Sequence, residues 1–330
     1  MTRRQFLHPF GSTAALGIAG LSATSMLPGL GGTQTVAAEA NAIPTRRFSI
    51  DLTPGAIGVS GDMPEMIRLA RAHGFESVQP DTGYLGRQDA EGLKRLRASL
   101  DEAGLKWGAA GLPVEFRQGD EPFRRDLDGL PKVAAALRTV GADRIGTWLM
   151  PGHNELERAQ NFDRHVARLR EVARTLRQHG VRLGLEYVGT PSIAARFKFP
   201  FVRRLSEAKE LIAAIDVPGT GVVLDSWHWF CAGDTVEALT KLRHSDVIAV
   251  DLNDAPRGVA LPEQQDNRRE LPAATGVIPV QDFLGALLRI EYDGPVRAEP
   301  FNQPLNQLDN EAACAQTVAA IRKALALVKS

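Results

Sequence analysis

Downstream of about Thr45 two patterns alternate along the chain: short apolar runs rich in β-branched residues, and longer stretches in which apolar positions return every three or four residues. The first pattern predicts strands buried on both faces, and the second predicts amphipathic helices. Strands are expected at 48–51, 76–79, 105–110 and 144–148, each followed by a helix, at 63–73, 93–103, 123–140 and 156–179. Gly74, Gly104, Gly141 and Gly180 stand where those helices should stop. The second half repeats the alternation, with strands at 181–186, 221–225, 246–251 and 294–299 and helices at 201–215, 235–243, 280–290 and 310–328. Eight strand–helix pairs in an unbroken series predict a single-domain α/β fold, the (β/α)8 TIM barrel. An open doubly wound sheet fits less well, because Asp51-Leu52-Thr53-Pro54-Gly55 after the first strand is not a glycine-rich dinucleotide loop.

In a barrel the carboxyl ends of all strands face one mouth, where such folds place their chemistry. Four consecutive strands here end in acids: Glu186, Asp225, Asp251 and Glu299. Buried like charges repel, so this ring requires protons, cationic partners or a metal ion, and a divalent cation is the most economical of these. Oxygen donors with few imidazoles nearby suit Mn²⁺ or Mg²⁺ better than zinc or copper. His228 follows Asp225 by three residues, and three readings stay open for it: a metal ligand, a donor that orients a substrate oxygen, or a local hydrogen-bond partner. Within the long loop over 253–276, the stretch 264–270 is polar, charged and long enough to cover the mouth, and Arg268 or Arg269 in it is a candidate donor to a substrate oxygen. Trp148, His153, Trp227 and Trp229 are candidates for a wall against which a sugar ring stacks, or for packing.

Charge narrows the partners. Lys plus Arg and Asp plus Glu both number 39, and no basic stripe stands out, which argues against nucleic acid. The chain opens on Thr2-Arg3-Arg4-Gln5-Phe6-Leu7, a twin-arginine motif, followed by a weakly apolar segment and the small-residue run Val36-Ala37-Ala38. This predicts a leader over 1–38 removed on export by the twin-arginine (Tat) machinery, a flexible segment over 39–46, and a mature periplasmic domain over 47–330. No later stretch is apolar for long enough to span a bilayer, so no stable membrane insertion after processing is expected. Cys231 and Cys314, the only cysteines, are expected as separate buried thiols. A homo-oligomer is compatible with this composition.

Asp225-Ser226-Trp227-His228 resembles the Asp-x-x-His motif of the xylose isomerase-like TIM-barrel superfamily, the sugar phosphate isomerase/epimerase group. The likeness runs from the first strand to Phe301. It is strongest in Val250-Asp251-Leu252-Asn253-Asp254-Ala255-Pro256, Arg269-Glu270-Leu271-Pro272, Thr275-Gly276-Val277-Ile278 and the stretch from Tyr292 to Phe301. The resemblance implies a divalent metal, usually Mn²⁺, held by Glu186, Asp225, Asp251 and Glu299. At the third position the commoner residue is His; Asp makes the site more anionic and favours a harder ion. Were Asp251 turned away, Asn253 or a water would complete the shell.

The resemblance also implies that Glu186 and Glu299 flank the substrate and exchange a proton with the carbon beside a carbonyl, while His228 orients a substrate oxygen. Removing that proton makes an enediolate, which a metal on the neighbouring oxygens stabilises. The expectation is therefore a metal-dependent isomerase or epimerase acting on a free sugar or small polyhydroxy ketone. A lyase or dehydratase would use the same proton abstraction to expel a group from a keto-sugar or keto-glycoside. A non-catalytic periplasmic sugar-binding protein is the reading of another class, and the Asp at 251 is its only support.

Overall fold

Strands that carry apolar side chains on both faces need cover on both, and a closed ring with helices outside provides it. The structure, a computed structural model, describes residues 45–328; the leader read from Arg3-Arg4 to Ala38, and most of the segment expected to be flexible, lie outside the described residues. Arg46, at the end of that segment, is tied down: its guanidinium donates to both Glu76 oxygens at 2.6 Å.

The elements are β1 (Ser49–Leu52), α1 (Met63–His73), β2 (Ser77–Val78), α2 (Ala90–Glu102), β3 in two pieces (Lys106–Trp107 and Ala110–Gly111), α3 (Asp120–Val140), β4 (Arg144–Trp148), α4 (Arg158–Gln178), β5 (Arg182–Glu186) and α5 (Leu205–Ile215). They continue with β6 (Thr220–Asp225), α6 (Ser226–Ala232), α7 (Val236–Thr240), β7 (Val247–Leu252), α8 (Val280–Arg289), β8 (Pro295–Ala298) and α9 (Asn310–Ala326). All neighbours in the main sheet are parallel, and β1 pairs with β8. The first piece of β3 pairs with β2 and the second with β4, so the broken strand closes the ring and the expected (β/α)8 barrel is observed.

Inside the barrel, Ala109, Val223 and Ala249 pack on one another. At the break in β3, a Cβ on Gly108 would overlap the Asp51 carboxylate, so the backbone approaches that side chain as only glycine permits. At the opposite end of the barrel Arg144 reaches across to the carbonyl of Ile248 at 3.1 Å and pairs with Asp293 at 2.8 Å.

Three helix starts differ from expectation by three residues or more. The helix expected from 93 begins at Ala90, where the Asp89 carboxylate accepts from the Gly92 N–H (2.7 Å). The helix expected from 201 begins at Leu205, because the Glu207 carboxylate accepts from the backbone N–H groups of Arg203 (2.6 Å) and Arg204 (3.2 Å) and caps the helix there. The helix expected from 123 starts at Asp120, where Asp120 and Glu121 place negative charge in the first turn. Cys231 and Cys314 are both buried and unpaired. Among the described residues no helix is long and apolar enough to cross a membrane.

Candidate active site

Strand register sets the site. On β7, Asp251 stands beside Asp225 of β6 and beside Arg297 of β8, so the three side chains form one row on the same face. Two buried carboxylates side by side repel, and each is met by a guanidinium. Arg297 clamps Asp251 through Nε–H to Oδ1 (2.7 Å) and Nη2–H to Oδ2 (3.1 Å). Arg269, arriving from the loop after β7, donates from Nη1 to Asp225 Oδ2 (2.8 Å) and Glu299 Oε2 (3.3 Å), and from Nη2 to Asp266 Oδ1 (2.7 Å). Its guanidinium lies over the rings of Trp227 (5.3 Å) and Phe301 (4.8 Å). Cationic partners, one of the three ways open to such a ring, thus relieve part of the repulsion. Five carboxylates, Glu186, Asp225, Asp251, Asp266 and Glu299, face two guanidiniums, and an acidic excess remains.

That excess is focused. One oxygen each of Glu186, Asp251 and Glu299 lie within 4.8 Å of one another, and Glu186, Asp225 and His228 form a second, overlapping group on the same criterion. An arginine fork uses two of the roughly four lone-pair positions of a carboxylate, so Asp251 keeps acceptor capacity toward Glu186 and Glu299. The donor set therefore fits a divalent cation that prefers oxygen.

His228 is wholly buried, and both of its ring nitrogens meet donors. The backbone N–H of Gly189 donates to Nδ1 (3.2 Å), while Nε2 lies 3.3 Å from Arg269 Nη2, a group that can only donate. Nε2 lies 3.5 Å from both Glu186 Oε1 and Asp266 Oδ1 and 3.7 Å from Asp225 Oδ2. Nε2 is thus shared between a guanidinium and three carboxylates, and the ligand and orienting roles both stay open for His228. Gly189 is required at its place, because a Cβ there would strike the His228 carbonyl.

Asn253 is spent on structure. Its Nδ2 donates to Asp225 Oδ1 (3.0 Å) and its Oδ1 accepts from the Glu299 N–H (2.9 Å), tying the ends of β6 and β8 together, so it is not poised to complete a metal shell. The next residue, Asp254, holds the covering loop. Its carboxylate accepts from the N–H groups of Ala255 (2.8 Å), Thr275 (2.8 Å), Gly276 (2.7 Å) and Ile278 (2.9 Å). Asp254→Ala should cost about 1–3 kcal/mol and make the 255–274 stretch the first point of protease cleavage, checked by limited proteolysis with mass mapping. Cleavage unchanged in site and rate would show that the loop is held by other contacts.

Of the two arginines considered for the mouth, Arg269 enters the site while Arg268 is exposed. Trp227 is wholly buried, donates to Thr190 Oγ1 (2.9 Å) and packs beneath Arg269, so it supports the site from below and does not present a stacking wall; Trp229 packs on Phe283. Trp148 stands in register beside Glu186, half-buried, with Arg117 over one face at 4.5 Å. His153 Nδ1 accepts from the N–H groups of Glu155 (3.0 Å) and Leu156 (2.8 Å), and burial lowers its pKa, so its ring serves the local turn.

Sequence reasoning missed Arg297, Asp266, Thr190 and Asp51. Arg297 had a legible signal: two residues before Glu299 on a strand, it projects on the same side. Asp51 ends β1 as the other acids end their strands. Burial pushes its pKa up to about 7, against the pull of Arg297 and of hydrogen bonds from Ser77 and Thr53. Thr190 and Asp266, joined by a 3.1 Å hydrogen bond, sit on loops whose polar composition gives no sign of burial.

Residues 67–324 match the model of the xylose isomerase-like TIM barrel. A xylose isomerase domain protein from Alicyclobacillus acidocaldarius superposes with a TM-score of 0.76 at 30% identity, over 86% of this chain and 100% of that one. The IOLI protein, solved with a zinc atom, superposes with a TM-score of 0.70 at 20% identity, over 86% of this chain and 98% of that one. Among curated proteins, an inosose isomerase from Halalkalibacterium halodurans is 28% identical over 148 residues, 44% of this chain and 48% of that protein. The 3-dehydroshikimate dehydratase of Pseudomonas putida is 22% identical over 254 residues, 74% of this chain and 37% of that protein. This chain thus spans less than half the length of each of these two curated relatives.

Proposed function

Because this chain belongs to the xylose isomerase-like TIM-barrel family, we propose that it is a divalent-metal-dependent enzyme that takes a proton from the carbon beside the carbonyl of a neutral sugar or polyhydroxy ketone. The observation that carries the reading is the convergence of Glu186, Asp251 and Glu299 oxygens within 4.8 Å on a site that keeps an acidic excess. Relatives named as an inosose isomerase and a dehydratase support proton abstraction as the shared step. When bound by Glu186, Asp225, Asp251 and Glu299, a divalent ion supplies Lewis-acid stabilisation of negative charge on substrate oxygens. The all-oxygen donor set favours Mn²⁺ or Mg²⁺, and the zinc in the IOLI structure supports a divalent ion in a site of this fold.

The side chains divide the remaining work. A carboxylate oxygen of Glu186 or Glu299 accepts the carbon-bound proton, and the other glutamate returns one to the carbon or to a departing group. His228, between Glu186 and Asp225, is the group that orients a substrate oxygen, and Arg269, spent on Asp225, Asp266 and Glu299, holds those carboxylates in place. The acidic excess disfavours phosphate esters and carboxylated substrates. A twin-arginine leader at Arg3-Arg4 would carry the enzyme to the periplasm, where sugar phosphates are scarce, and this reading too favours a free sugar. Return of the proton to carbon gives an isomerase or epimerase; loss of a group from the next carbon gives a lyase acting on keto-sugars or keto-glycosides.

The test is elemental analysis of the purified mature protein, followed by incubation in deuterated water with ketoses and 3-keto-glycosides. One equivalent of divalent metal and deuterium at the carbon beside the carbonyl are expected, and the product assigns the outcome. Absence of exchange across the panel, with sugars still raising the melting temperature, would overturn the enzyme reading in favour of a sugar-binding protein.

A further inference from the structure

The clamp of Arg297 on Asp251 carries a consequence for the cation site. Asp251 gives one oxygen to the cluster with Glu186 and Glu299 while both of its oxygens receive N–H groups of Arg297. The guanidinium spends its third nitrogen on the Ala109 carbonyl (3.3 Å), which fixes it from the far side of the barrel interior. Asp51 and Glu299 also lie within its field. Both partners are buried, with the Arg297 side chain 11% exposed and that of Asp251 1%. A permanent positive charge is thus built into the wall of a site shaped for a cation.

We propose that Asp251 and Arg297 work as one electrically neutral unit, in which Arg297 is a positioning residue that presents the Asp251 oxygen while withholding its charge from the bound ion. The inference rests on the metal-dependent reading above. Charge outweighs orientation here: a unit charge a few ångströms from a divalent ion in a water-poor interior changes affinity far more than the freezing of one aspartate rotor. Deleting the arginine therefore tightens the metal, although it removes the group that holds a ligand in place. Deleting the aspartate alone leaves an uncompensated cation and loosens it.

The experiment measures Mn²⁺ binding to the chelator-treated mature protein, following free Mn²⁺ by electron paramagnetic resonance. The proteins are the unmodified chain, Arg297→Met, Asp251→Asn and the double variant. Arg297→Met is expected to bind Mn²⁺ at least about tenfold more tightly than the unmodified chain, and Asp251→Asn at least about tenfold more weakly. Should Arg297→Met fail to fold, the comparison of Asp251→Asn with the double variant still decides, because the double variant buries no unpaired charge. Loss of Arg297 is expected to tighten binding by about tenfold in that background too. Affinities within about threefold of one another, or weaker binding on removal of Arg297, overturn the neutral unit while leaving the metal reading intact. An unmodified chain that binds no Mn²⁺ overturns the metal reading itself.

Discussion

Glu299→Gln is expected to slow deuterium exchange at the substrate carbon by about a hundred- to ten-thousandfold, the share that a positioned acid or base supplies. The side chain follows β8 at the rim and is 20% exposed, against 8% for Glu186, so it is the more open of the two carboxylates to an incoming substrate. Its Oε2 accepts from Arg269 Nη1 at 3.3 Å, and an amide oxygen can keep that acceptor role. The variant should therefore fold, with a melting temperature close to that of the unmodified chain, while lacking a group that can take up a proton. Exchange at the original rate in a folded variant removes Glu299 from the mechanism.

Arg269→Met is expected to lower the stability of the chelator-treated protein by about 3–5 kcal/mol in urea denaturation, the cost of breaking a buried ion pair by taking one partner. The guanidinium is fully buried and faces Asp225, Asp266 and Glu299; a methionine of similar length packs against Trp227 and Phe301 but neutralises none of these. Added Mn²⁺ should restore part of the loss, because it supplies charge to the same carboxylates. A loss under about 1 kcal/mol would mean that the site relieves its repulsion by taking up protons.

Much of this was legible in the chain. A strand buried on both faces is an uninterrupted apolar run, so β4 to β8 could be placed within one or two residues, and the acids at their ends with them. The third strand was legible over 105–110, but its division into Lys106–Trp107, paired with β2, and Ala110–Gly111, paired with β4, was not. Arg297 was legible only through its spacing, two residues before Glu299 on the same strand face; by itself a charge inside an apolar strand reads as a face turned to solvent, and its partner Asp251 is remote in sequence. The 264–270 stretch was rightly read as polar. Its burial was hidden, because Asp266 and Arg269 are buried as a pair and Gln264 donates to the Val259 carbonyl (3.0 Å), which leaves no hydrophobic signature. For Trp227 the structure takes the packing alternative: the buried indole lies beneath Arg269.

The staves of the barrel are unequal. β4 to β8 run four to six residues and carry the whole acid ring, whereas β2 and each piece of β3 run two, on the side of the circle facing β6 and β7. Thin ladders open at lower free energy than long ones. On this ground the arc of β2 and β3 is expected to open before the arc that holds the acids.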